Sequence, residues 1–141
     1  MTSENKAKKA YLNRYRWDVE KLKEIDDEIA ACRLGALPGS PSFDGMPHGS
    51  ASNTDLSDYA AKIDELLMEF KRIREKALQD LKEISLAIEA MGDEYARSNI
   101  LLRYRYIQLK SWEEIGRAMN FHEVYVKREL HSIALEQFKI P

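Results

Sequence analysis

A chain of 141 residues, 33% of them charged and with a formal net charge of -2, is long enough for one domain, or two small ones, around a buried core. Its single cysteine, Cys32, excludes an internal disulfide and so a fold that depends on an oxidising compartment. No apolar run approaches the roughly 20 residues that a bilayer requires, and the polar start Met-Thr-Ser-Glu-Asn-Lys-Ala-Lys-Lys has no apolar core behind it, so neither secretion nor membrane insertion is expected, and the cytoplasm is the expected location.

The first element is a helix. Tyr11, Tyr15, Leu22, Ile25, Ile29 and Cys32 follow a three-four spacing, interrupted by the polar Asp18, which predicts one helix of roughly 28 residues. Residues 35–53 then hold four of the six glycines and three of the four prolines, and cannot continue a helix. Within this linker, Gly45-Met46-Pro47-His48-Gly49 either docks on the helices, anchored by Phe43 and Met46, or is a flexible connection.

A second helix follows, capped by Asn53 or Thr54. Its heptads place Leu56, Ile63, Phe70, Ala77, Ile84 and Met91 at d, and Ala60, Leu67, Arg74, Leu81 and Ile88 at a. At about 1.5 Å per residue this helix is close to 57 Å long, more than a small globular core needs, and reads as a coiled-coil element. A linker of this length can return the chain, so the two helices are expected to form an antiparallel hairpin over residues 1–92. Leu66 and Ile73 widen the apolar stripe beyond that seam, where a second copy could cover them. Arg74 within the seam fits a carboxylate such as Asp18 or Glu20 and would help to fix register. The residues expected to support a homo-oligomer are Ile63, Leu66, Leu67, Phe70, Ile73, Arg74, Leu81, Ile84 and Ile88.

Residues 93–141 read as a separate helix-turn-helix domain. Ser111 is an N-cap candidate and Glu114, three residues on, completes a capping box, so a short helix begins at Trp112. Ile115 and Met119 share a buried stripe, Gly116 permits close helix contact, and Met119-Asn120-Phe121 makes the break, where Asn tolerates a left-handed backbone. In the last helix Val126, Leu130, Ile133, Ala134 and Phe138 are expected inside. At about 100° per residue, Val124, Tyr125, Arg128, His131 and Ser132 then point outward, as a helix entering a DNA major groove requires.

The run Leu102-Arg103-Tyr104-Arg105-Tyr106-Ile107, followed by Ser111-Trp112-Glu113-Glu114-Ile115, resembles the helix-turn-helix of sigma factor region 4. Together with Gly45-Met46-Pro47-His48-Gly49-Ser50 between two long helices, the chain is similar to small phage proteins of the ArpU and RinA type. The resemblance implies a transcription regulator of phage late or packaging genes, acting in a bacterial host on double-stranded promoter DNA, with RNA polymerase as a further partner. Three departures stand out. Leu109 and Asn120 occupy positions where such modules commonly carry Gly, and Gly116 occupies one where Ala is usual. The last helix is also one residue out of step: aligning Val126 puts Ile133 at the usual Ala position, whereas aligning Ala134-Leu135 leaves Val126 off register.

The residues expected at DNA are Arg103, Arg105, Lys110, Ser111, Trp112, Tyr125, Lys127, Arg128, His131 and Ser132. Arg128, Tyr125 and Ser132 would read or flank bases, while Lys127, Lys110, Ser111 and Arg103 would hold the phosphate backbone. Trp112 is more often a packing residue at such a position, and Lys127 and Arg128 have a bland reading as solvated charges. From Asp93 to Pro141 there are eight Lys or Arg against seven Asp or Glu, hence +1, so a single copy should bind DNA weakly and gain from assembly. His48, His122 and His131 lack metal-ligand spacing, and there is no phosphate-cradling glycine loop or nucleophile elbow, so no metal, no cofactor and no enzyme chemistry are expected. The alternative is a protein-interaction module that binds RNA polymerase or another regulator through the sigma-like domain or the coiled coil.

Overall fold

The computed structural model describes residues 1–36 and 53–141, which contain helices and turns and no strand. The expected all-α class is therefore met. None of the described helices is long and apolar enough to cross a membrane. The motif Gly45-Met46-Pro47-His48-Gly49 and Phe43 lie outside the described residues.

The single N-terminal helix expected from the spacing is two helices. α1 (Ser3–Leu12) begins at Thr2, whose hydroxyl accepts from the Asn5 amide at 3.1 Å. Asn13 then adopts φ -76° and ψ -7°, and α2 (Arg14–Ala36) follows. The long helix α3 (Asn53–Glu89) has 37 residues, or about 56 Å at the usual rise. It ends at Glu89, and three residues on Gly92 takes φ 71° and ψ -176°, a positive-φ backbone that glycine reaches without a Cβ clash. A single 3-10 turn (Asp93–Tyr95) leads to α4 (Ala96–Leu102), which continues into a π turn (Arg103–Ile107). α5 (Trp112–Met119) comes next. It is followed by one helical run of α6 (Glu123–Tyr125), a second π turn (Val126–Leu130) and α7 (His131–Gln137).

The chain divides into two compact units, one made of Met1–Asp18 with Lys76–Pro141 and the other of Val19–Glu75. This differs from the division expected at Asp93. The reason lies in the larger core, where Leu12 of α1 and Ile84, Ala87 and Ile88 of α3 are buried with Leu101, Leu102, Tyr106, Ile115, Val126, Leu130, Ala134, Leu135 and Phe138. α1 and the end of α3 thus share one core with the C-terminal helices. Lys8 of α1 extends the tie: its buried ammonium donates to the Leu135 carbonyl at 2.9 Å and to that of Glu136 at 3.4 Å, placing a cation at the negative end of α7.

In the same unit a polar cluster joins α2 to α3. Lys76 donates to Asp18 at 3.0 Å and to Asp80 at 2.8 Å, while Arg14 pairs with Asp80 at 3.4 Å and Glu83 at 2.8 Å. Burial pushes the Asp18 carboxyl up from its ordinary range. Lys76 thus meets the carboxylate expected for Arg74. Arg74 itself is exposed, because turning it inward would bury a guanidinium and expose Ile73.

The smaller unit buries Ile25 and Ile29 of α2 against Leu66 and Ile73 of α3, flanked by Leu22, Cys32 and Phe70. Leu66 and Ile73, expected to await a second copy, are therefore covered within the chain, and in the larger unit so are Ile84 and Ile88. The seam of α3 is rotated from the expected d/a line: Leu66, Ile73, Asp80 and Ala87 at seven-residue spacing are buried, and the a residues Ala60, Leu67 and Arg74 are exposed. Ile63, Phe70 and Leu81 are half-buried.

Candidate nucleic-acid interface

The approach to α5 is built from residues that do two jobs. Leu109 has φ 56°, a left-handed backbone that costs a non-glycine residue about 1 kcal/mol or more. The Lys110 amide closes the turn by donating to the Tyr104 carbonyl at 2.9 Å. Arg105, half-buried, donates to the Lys110 carbonyl at 3.1 Å and stacks over the Trp112 ring at 4.3 Å, while Arg16 donates to the Arg105 carbonyl at 2.9 Å. Arg103 bonds Asn99 at 2.8 Å, and the Lys110 ammonium lies 4.4 Å from the Tyr104 ring centre. Of Arg103, Arg105 and Lys110, Arg105 is the one most committed to the fold.

Ser111 caps α5 as the sequence predicts. Its hydroxyl accepts from the Glu114 amide and its own amide donates to the Glu114 carboxylate, both at 3.2 Å. Those bonds hold the Glu114 carboxyl below its ordinary range. The turn after α5 is tight. Asn120 adopts φ 60° and ψ 41°, and the Phe121 amide donates to the Gly116 carbonyl at 2.9 Å. A Cβ on Gly116 would lie 2.7 Å from the Phe121 carbonyl oxygen and 3.3 Å from the Glu123 amide. Gly116→Ala is therefore expected to cost about 1–3 kcal/mol through overpacking against backbone. An unchanged denaturation midpoint would show that the turn has room for the methyl.

His122 then caps α6, its Nδ1 accepting from the Val124 amide at 3.2 Å. Val124, Tyr125, Lys127 and Arg128 are exposed and Ser132 is half-buried. His131 must be corrected. It was expected to face outward, but it is 2% exposed, whereas Ile133, expected inside, is 37% exposed. The π turn Val126–Leu130 accounts for both, because its wider turn shifts every later residue relative to a regular 3.6-residue helix. It also accounts for the one-residue register conflict between Val126 and Ala134-Leu135: both are fully buried.

Inside, His131 Nε2 and the Tyr106 hydroxyl are 2.6 Å apart, and the Trp112 ring stands edge-on to the imidazole at 4.7 Å between centres. Burial, with Lys9 and Arg105 nearby, pushes the His131 pKa down to about 4, so a neutral imidazole can accept from the hydroxyl. Burial raises the Tyr106 hydroxyl. Trp112 is thus packed between Arg105 and His131. The exposed strip of α6 also carries Glu123, and the π turn carries Glu129. Sequence reading passed over Arg97, whose guanidinium lies 5.9 Å from the Phe121 ring centre, and Phe121 in turn meets Tyr125 at 5.5 Å. No spacing rule would have paired residues so far apart. Among the described residues no group of His, Cys, Asp and Glu is arranged to hold a metal ion.

Compared with known proteins, the chain matches no family model, no curated protein and no solved structure.

Proposed function

We propose that α5 and the α6–α7 run form a helix-turn-helix that reads double-stranded DNA, and that the chain is a transcription regulator. The observation that carries this reading is the pair of left-handed residues, Leu109 and Asn120, at the positions where sigma region 4-type modules carry Gly. They bracket a capped α5 and leave Val124, Tyr125, Lys127 and Arg128 exposed on the following helix. Such a strip combines a guanidinium able to grip a guanine edge with an apolar side chain able to contact a thymine methyl. The similarity to ArpU- and RinA-type proteins supports phage late or packaging genes as targets, in the cytoplasm of a bacterial host. In this reading α2 and α3 form an antiparallel coiled-coil hairpin, a handle for a second copy or for RNA polymerase.

The DNA surface now reduces to fewer residues than the sequence suggested. Arg128, Tyr125 and Ser132 would read or flank bases, with Lys127, Lys110 and Arg103 at phosphates. Ser111 and Trp112 act through the cap and the packing of α5, and His131 acts only from the core. Arg128→Ala is expected to reduce discrimination between sites by about 1–3 kcal/mol, whereas Lys127→Ala should weaken all duplexes alike and lower the salt slope by about 1. Titrating both variants against selected and random duplex at several salt concentrations checks this. Equal losses on both duplexes for both variants would refute the division of roles.

A second reading is favoured by one observation: Glu123 and Glu129 are exposed on the same stretch as Lys127 and Arg128. Such a balanced surface suits a protein partner, with RNA polymerase the expected one. No preference for any duplex, together with binding to polymerase, would select it.

A further inference from the structure

The outer side of α3 in the unit Val19–Glu75 is self-complementary. At about 100° per residue, Ala60, Leu67 and Arg74 fall within roughly 20° of one line, about 100° round the helix from the inward pair Leu66 and Ile73. Because Leu66 and Ile73 are already spent on Ile25 and Ile29, this outer line is a separate surface. Leu67, on this line, is 43% exposed. Ala60, Asp64, Lys71 and Arg74 are exposed as well, and among the described residues none of them makes an ion pair.

We infer that this face pairs with the same face of a second copy, antiparallel, about a two-fold axis at Leu67. The assignment rests on how the residues map onto themselves. With Leu67 on the axis, Ala60 and Arg74 are equidistant from it, so each Arg74 meets the small Ala60 of the other copy and has room to lie across it. Asp64 and Lys71 lie on one flank, three residues before Leu67 and four after it. In an antiparallel pair like flanks meet, so each Lys71 faces an Asp64 carboxylate. A parallel pair would instead set Arg74 against Arg74, a like-charge cost, and would turn each Lys71 toward the opposite flank, away from Asp64. The two-fold makes the contact isologous and closed, so assembly stops at a dimer. This inference is independent of DNA binding.

The test uses the full chain with Cys32→Ser, mild oxidation, and light scattering over about a hundredfold range of concentration. The expected mass is twice 16.4 kDa. Leu67→Cys should then form a disulfide dimer, because its Cα meets its own mate. Ala60→Cys and Arg74→Cys should each fail alone, with like residues about 21 Å apart along the axis, and should cross-link when mixed. Lys71→Glu should return the mass to 16.4 kDa with helical signal unchanged, and Asp64→Lys added to it should restore the dimer. A monomer at every concentration overturns the inference. So does self-cross-linking of Ala60→Cys and Arg74→Cys, which would mean a parallel pair, or a dimer mass that survives Lys71→Glu.

Discussion

Replacing Ile84 by Ala should lower the unfolding free energy by about 2–5 kcal/mol, the range for a buried aliphatic side chain cut to a methyl in a core that relaxes only partly. Ile84 is fully buried in the cluster that joins α1 and α3 to the C-terminal helices, so the loss should reach the whole of that unit. Leu86, two residues further along α3, is 56% exposed, and Leu86→Ala should change stability by no more than about 0.5 kcal/mol. Denaturant midpoints of the two variants separate the cases. The same site decides how the unit is bounded. If α4–α7 folded as an independent domain from Asp93 onward, Ile84→Ala would leave their amide protection unchanged, and that result would sink the single-core description.

Acid should destabilise the same unit through His131. The folded chain holds its imidazole neutral with a pKa near 4, while an unfolded chain has the ordinary value of about 6.5. Between those pH values the unfolded state takes up a proton that the folded state refuses, so the contribution is fully present above about pH 6.5 and is lost as pH falls toward 4. The shift corresponds to about 3 kcal/mol at its full extent. The carboxyls of Glu83 and Glu114 are held below their ordinary values, so their own losses come at lower pH, and Asp18, raised by burial, acts in the opposite sense. A His131→Phe comparison removes those shared effects. Wild type should lose stability between pH 7 and 4.5 more steeply than His131→Phe. Parallel curves would show that His131 does not titrate between the two states. Because the Tyr106–His131–Trp112 stack sits under α5 and α7, the acid loss should also appear in DNA binding if those helices carry it.

The all-helical class, the long α3, the capping box at Ser111 and the break at Asn120 were legible in the sequence. Each is a local property, set by hydrogen bonds and backbone preferences within a few residues, and Ser111 with Glu114 needs nothing else. Even the register conflict in the last helix was visible, as a mismatch between Val126 and Ala134-Leu135. What spacing alone could not supply was its resolution. Only the packed core shows that a π turn absorbs the extra residue, which sends His131 inward to Tyr106 and Ile133 outward. The same holds for α3, where a heptad count admits two neighbouring stripes and the choice of Ile73 over Arg74 depends on the desolvation cost of a guanidinium against α2. Tertiary structure likewise recruited Lys8 to the end of α7, a contact between residues more than a hundred positions apart that no local preference encodes. Periodicity determines which residues can share a face. Competition for burial, which involves every helix in the unit at once, decides which face is used.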